Sequence, residues 1–130
     1  MKPFEVSVDL QRRQLNMVMR GFWDMPTFEA FASEFTRALH QLHRHGGALL
    51  ALVDGREFAV QSKDVLMRFG AVMQDNAPLL AKRTASVVPA ELNRMQSARV
   101  AESITNRHFT TIEEAAAWLD ICLAELRPTA

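Results

Sequence analysis

The chain of 130 residues suits one domain with its own core, read here as a single unit over 1–130, with no need of a metal or disulfide staple. Fifteen Lys plus Arg balance fifteen Asp plus Glu to a formal net charge of zero, which removes the electrostatic footprint of a nucleic-acid or anionic-membrane binder. Hydrophobic residues at 48% and charged residues at 23% exclude a disordered chain, and one cysteine excludes an internal disulfide or a multi-cysteine metal site.

The chain opens with alternation. Phe4, Val6, Val8 and Leu10 share one face and Glu5, Ser7 and Asp9 the other, the pattern of a half-buried strand. After the polar turn Gln11-Arg12-Arg13-Gln14, Leu15, Met17 and Met19 resume it, so a β-hairpin is expected. Val18 and Phe22 are apolar on the second strand's other face, which predicts cover on both sides. Asp24 or Thr27 should cap a helix that tolerates Pro26 in its first turn. Phe28, Phe31, Ala32, Phe35, Leu39 and Leu42 form its apolar stripe, and Gly46-Gly47 ends it. The continuous run Ala48–Val53, stopped by Asp54-Gly55, predicts a central strand buried on both faces.

Ser62 or a neighbour should cap a second helix with Val65, Leu66, Phe69, Val72 and Met73 on one face, broken near Asn76-Ala77-Pro78. Thr84–Val88 reads as a third core strand, and Ala90–Ile104 as helix-prone with a narrow seam of Leu92, Met95 and Ala98. Arg107-His108-Phe109 suits a short strand. Thr110 and Thr111, each three residues before a glutamate, offer capping boxes for a last helix burying Ala115, Trp118, Leu119, Cys122 and Leu126. The order is that of an α/β fold: a βα-wound domain with a mixed sheet of about five strands, an N-terminal hairpin and four helices.

Three stretches carry a resemblance: the hairpin, then Leu50-Ala51-Leu52-Val53-Asp54, then Arg83-Thr84-Ala85-Ser86-Val87-Val88. The tail from Arg107 through Phe109, Glu114-Ala115 and Trp118-Leu119 adds to them. With these the chain resembles the SpoIIAA-like family, which shares its fold with STAS domains and with lipid-carrying CRAL–TRIO domains. The resemblance implies a protein-interaction role. It also implies a phospho-acceptor at the helix after the central strand, where switch domains carry an Asp-Ser-Ser-Gly-like segment. Here Val60-Gln61-Ser62-Lys63-Asp64 stands there, leaving Ser62 as candidate phospho-acceptor or plain helix cap.

Asp54, Arg56, Glu57, Lys63 and Asp64 are the densest polar group at the carboxyl end of the central strand, where open α/β sheets bind ligands. With Met67, which falls off the second helix's stripe, they form the expected partner or ligand surface. His40, His43 and His45 read as basic residues at a helix end, not as metal ligands. Cys122 reads as buried packing, and Lys82, Arg83, Arg94, Arg99 and Arg107, interleaved with Glu91 and Glu102, as surface pairing. No catalytic set, metal site or cofactor cradle is recognisable. The expectation is a non-enzymatic, cytoplasmic, bacterial protein-interaction module with no membrane span, engaging another protein. A weak homodimer through its helices is also expected, because Pro3, Glu5, Ser7 and Asp9 discourage edge pairing. The alternative is a small apolar-ligand or lipid binder with a cavity lined by Phe28, Phe31, Phe35 and Phe69.

Overall fold

The computed structural model describes residues 2–89 and 105–127. Its strands are β1 (Phe4–Asp9), β2 (Gln14–Gly21), β3 (Leu50–Phe58), β4 (Arg83–Val87) and β5 (Asn106–Phe109), joined in one sheet in that spatial order. β1 and β2 pair antiparallel; β2 through β5 run parallel. Among the described residues the helices are α1 (Met25–Arg44), α2 (Lys63–Asp75) and α3 (Ile112–Leu126), with a 3₁₀ turn at Ala77–Leu79. The fourth expected helix, Ala90–Ile104, lies outside the described residues, as do Arg94 and Arg99.

Each helix starts where its cap stands. Asp24 Oδ1 accepts from Thr27 N at 2.9 Å, Ser62 Oγ from Val65 N at 3.3 Å, and Thr111 Oγ1 from Glu114 N at 3.2 Å. The Glu114 carboxylate in turn accepts from the Thr111 hydroxyl at 3.0 Å. α1 ends at Gly46 and Gly47, with φ of 107° and 100°, a region that glycine enters without penalty. Arg13 in the hairpin clasps that end. Its guanidinium donates to the Gly46 and Gly47 carbonyls, the latter at 2.7 Å, while its own carbonyl accepts from Leu49 N at 2.9 Å. A Cβ on Gly46 would stand 3.0 Å from Arg13 Cζ, so the clasp needs glycine for space as well as for φ.

The sheet separates two cores. On one side Leu15, Met17, Met19 and Ala51 pack with the α1 stripe and with Val65 and Val72 of α2. On the other, Leu49, Leu50, Ala85 and Val87 pack with Ala115, Leu119 and Cys122 of α3. Leu50 and Ala51 thus bury opposite faces of β3, which accounts for its unbroken apolar run.

β3 does not stop at Asp54-Gly55. Val18 pairs with Asp54 but Arg20 with Glu57, so two residues of β3, Gly55 and Arg56, stand against one of β2. Asp54-Gly55 therefore opens a bulge within the strand. The bulge shifts the alternation by one: Val53 and Phe58, five apart, both pack against the first core. Three further expectations change. Phe22 lies past the end of β2 and is exposed, leaving Val18 half-buried on a strand covered on one face. Leu66 is exposed, because it turns away from the side of α2 that buries Val65 and Val72. Trp118 is half-buried, its ring 5.7 Å from that of Phe109 with the Arg107 guanidinium 5.7 Å above it.

The enclosed tryptophan is Trp23, 1% exposed, whose ring stands 4.8 Å from Phe58, 5.1 Å from Phe31, 5.8 Å from Phe4 and 6.1 Å from Phe69. Trp23→Ala should cost about 3–5 kcal/mol. Trp118→Ala, at a half-wet site, should cost about 1–3 kcal/mol. Chemical denaturation of both variants checks the order, and a larger loss at Trp118 would contradict this packing.

Candidate functional site

The bulge in β3 decides which charges meet. By bringing Glu57 beside Arg20, it lets that guanidinium bridge two carboxylates, Glu5 at 2.7 Å and Glu57 at 3.3 Å. Asp54, one turn of the bulge earlier, takes a two-point contact from Arg56, Nε to Oδ1 and Nη2 to Oδ2, both at 2.9 Å. Hydrogen bonding from Arg56 holds the Asp54 carboxyl below the usual carboxylate range, outweighing the opposing effect of burial. Glu5 and Arg20 belong to this group although neither was expected there. Salt-bridge partners on separate strands leave no spacing signal in a sequence.

Two hollows meet at this group. One of 320 Å³ is lined by Val18, Met19, Arg20, Asp54, Arg56 and Glu57. The other, of 590 Å³, runs along β1 and over the sheet face bearing Glu5, Ser7, Asn16, Val18 and Asp54. Among the described residues nothing covers that face, because α3 packs over β3, β4 and β5.

The segment leading into α2 is held by one buried amide. Gln61 donates through Nε2 to the carbonyls of Ala59 at 2.6 Å and Gly21 at 2.9 Å, while its Oε1 accepts from Trp23 N at 2.8 Å. The Ala59 N–H also donates to the Gly21 carbonyl, at 3.2 Å, so the exits of β2 and β3 stay side by side. Phe22 and Val60, each the next residue along, therefore emerge together. Ser62 follows as a half-exposed cap, and Leu66 and Met67 stand one turn into α2. Lys63 and Asp64 are exposed in that first turn and form no ion pair with Asp54, Arg56 or Glu57. The expected surface thus divides into a paired group on β3 (Asp54, Arg56, Glu57) and a separate outer face of α2 (Lys63, Asp64, Met67), with Ser62 between them in sequence.

His40, His43 and His45 are exposed at the end of α1. Among the described residues no group of three or more His, Cys, Asp and Glu is placed to hold a metal ion. Cys122 is buried in the second core, and desolvation pushes its thiol up, away from the thiolate a nucleophile needs. Arg83 donates to the Lys82 carbonyl at 3.0 Å. The cavity expected among Phe28, Phe31, Phe35 and Phe69 is filled by the rings themselves: Phe28 to Phe69 is 4.7 Å, and Phe31 lies 5.7 Å from both Phe35 and Phe69. Among the described residues no helix is long and apolar enough to cross a membrane.

The chain superposes on an uncharacterized protein of the DUF3478 family from Shewanella loihica PV-4, a protein with a SpoIIAA-like fold. The TM-score is 0.68, over 92% of this chain and 95% of that one. The fold is SpoIIAA-like. At 16% identity the likeness concerns the fold alone. No family model matches the sequence, and no curated protein matches it. Within this SpoIIAA-like frame Ser62 caps the helix that follows the central strand, the plain reading of a serine there.

The Asp54–Arg56 pair predicts an acid-sensitive contribution to stability. The folded pKa of Asp54 lies below its unfolded value of about 3.9, so the contribution is complete above that pH and fades as pH falls through the folded value. Asp54→Asn should flatten the acid limb of a stability–pH profile below about pH 4. An unchanged limb would mean that Arg56 does not favour the ionised form.

Proposed function

We propose that this chain is a non-enzymatic, STAS-like protein-interaction module acting in bacterial signalling or regulation in the cytoplasm. Its contact surface is the carboxyl edge of the sheet together with the outer face of α2. The observation that carries this reading is the apolar exposure at that edge: Phe22 at 65%, Val60 at 80%, Leu66 at 53% and Met67 at 65%. Phe22 and Val60 leave the sheet from adjoining strand ends, and Leu66 and Met67 are neighbours early in α2; exposed apolar patches mark interaction sites. The charges support it, since Asp54, Arg56 and Glu57 on β3 and Lys63 and Asp64 on α2 bring both signs to the two parts of this surface. Asp54 and Glu57 are engaged by arginines, an arrangement that suits recognition better than proton transfer. Ser62 is the switch point in this reading. A phosphate there would meet the free N–H groups of the α2 N-terminus and place a double negative charge beside the apolar patch.

A second reading, an apolar ligand or lipid, draws on a hollow of 450 Å³ lined mainly by apolar residues, among them Leu15, Phe35, Leu39, Val53, Met73 and Leu80. It adjoins Thr105 and Asn106, where the described chain resumes.

A photo-crosslinking amino acid at Met67, in cells of the source organism, should give a discrete adduct with one other protein. Leu66→Glu should abolish that adduct while changing stability by less than about 0.5 kcal/mol, as expected at an exposed position. No such adduct, or one indifferent to Leu66→Glu, sinks the interaction reading. Mass spectrometry of a solvent extract of the purified protein separates the second reading, which requires a stoichiometric apolar molecule.

A further inference from the structure

β1 is the edge of the sheet, and its free side can be read from one bond. Arg20 N donates to the Pro3 carbonyl at 2.8 Å, which makes Pro3–Arg20 a hydrogen-bonded pair of the antiparallel ladder. Counting by two along the register, Glu5, Ser7 and Asp9 turn their backbone groups toward β2. Phe4, Val6 and Val8 turn theirs outward, and among the described residues those N–H and C=O groups have no partner. Pro3, expected to blunt this edge, belongs to the inward-facing set. Its missing N–H therefore removes nothing from the outer row. The strand's shielding is limited to the charges of Glu5 and Asp9, both on one face: there is no proline or lysine within Phe4–Asp9 and no bulge in its pairing with β2. The 590 Å³ hollow extends along this edge from Lys2 to Ser7, so the row opens onto free space.

We propose that β1 pairs antiparallel with β1 of a second copy of this chain, with Val6 on the twofold axis, joining two sheets into one of ten strands. The charges select both the occupant and the register. Outward groups must meet outward groups, so a twofold pairing centres on Glu5, Val6 or Ser7. Centring on Glu5 sets Glu5 directly against Glu5 of the second copy. Centring on Ser7 sets Glu5 against Asp9. Like charges directly opposite are destabilising. Centring on Val6 sets Glu5 against Ser7 and Asp9 against Pro3, aligns Phe4 with Val8 on the apolar face, and uses all three outward residues. Each Glu5 is already neutralised from behind by Arg20.

Ser7 is exposed, so its substitution tests the register without disturbing the core. Ser7→Glu places a carboxylate opposite Glu5 twice across the axis and should weaken the dimer roughly two- to thirty-fold, whereas Ser7→Lys should tighten it. Sedimentation equilibrium of the wild type and both variants reads this, with denaturation curves confirming that each variant stays folded. In the wild type, hydrogen exchange at the Phe4, Val6 and Val8 amides should slow as protein concentration rises. The amides of Glu5, Ser7 and Asp9, already bonded to β2, should not respond. A wild type that remains monomeric into the millimolar range overturns the proposal. So does a dimer on which both substitutions act alike or not at all, or one that leaves the three outward amides unprotected.

Discussion

Trp23 joins four elements of this molecule through one side chain. Its ring meets Phe4 of β1, Phe31 of α1, Phe58 of β3 and Phe69 of α2, so four elements share one buried indole. Its polar atoms are equally committed: Nε1 donates to the Arg20 carbonyl at 2.8 Å, and the backbone N–H to Gln61. A buried indole must find such an acceptor or lose the free energy of an unmade hydrogen bond. Meeting that need ties the end of β2 to the segment that enters α2.

The bulge in β3 follows from the same constraint. Phe58 reaches Trp23 because Gly55 and Arg56 absorb one extra residue, and that shift puts Glu57 on the opposite face beside Arg20. The aromatic core and the charge cluster are two consequences of one irregularity. The surface proposed for partner contact thus inherits its shape from the core beneath it. Gln61 fixes the loop, Ser62 begins the helix, and Phe22 and Val60 are pushed outward because the positions inside are occupied by Trp23 and Phe58.

The two faces of the sheet are covered unequally. α1 and α2 serve the first core, while α3 packs across β3, β4 and β5 on the other side. Glu5, Ser7, Asn16 and Arg20 therefore line an open face, and their polarity matches that exposure. The hairpin loop is held to α3 from a distance, by Arg12 to Asp120 at 2.9 Å and by Arg127 to the Gln11 carbonyl at 2.7 Å. These contacts steady the hairpin without covering it, which leaves β1 as a free edge.

Periodicity alone determined the hairpin, the α1 stripe, the buried run of β3 and the caps at Asp24, Ser62 and Thr111, because each depends on residues a few positions apart. Composition made Asp54-Gly55 look like a strand end, since the same residues serve turns and bulges. Only the pairing partner on β2 distinguishes the two. Trp23 gave no periodic signal, lying between a strand and a helix, and its importance comes from four contacts as far as 46 residues away in the chain (Trp23 to Phe69). The pairing of Arg20 with Glu5 and Glu57, and of Gln61 with Gly21 and Trp23, left no signal for the same reason: the partners lie on separate segments of the chain. The outward set of β1 likewise became visible only with the ladder, because alternation in sequence gives the direction of side chains and says nothing of which backbone groups its one neighbouring strand will use.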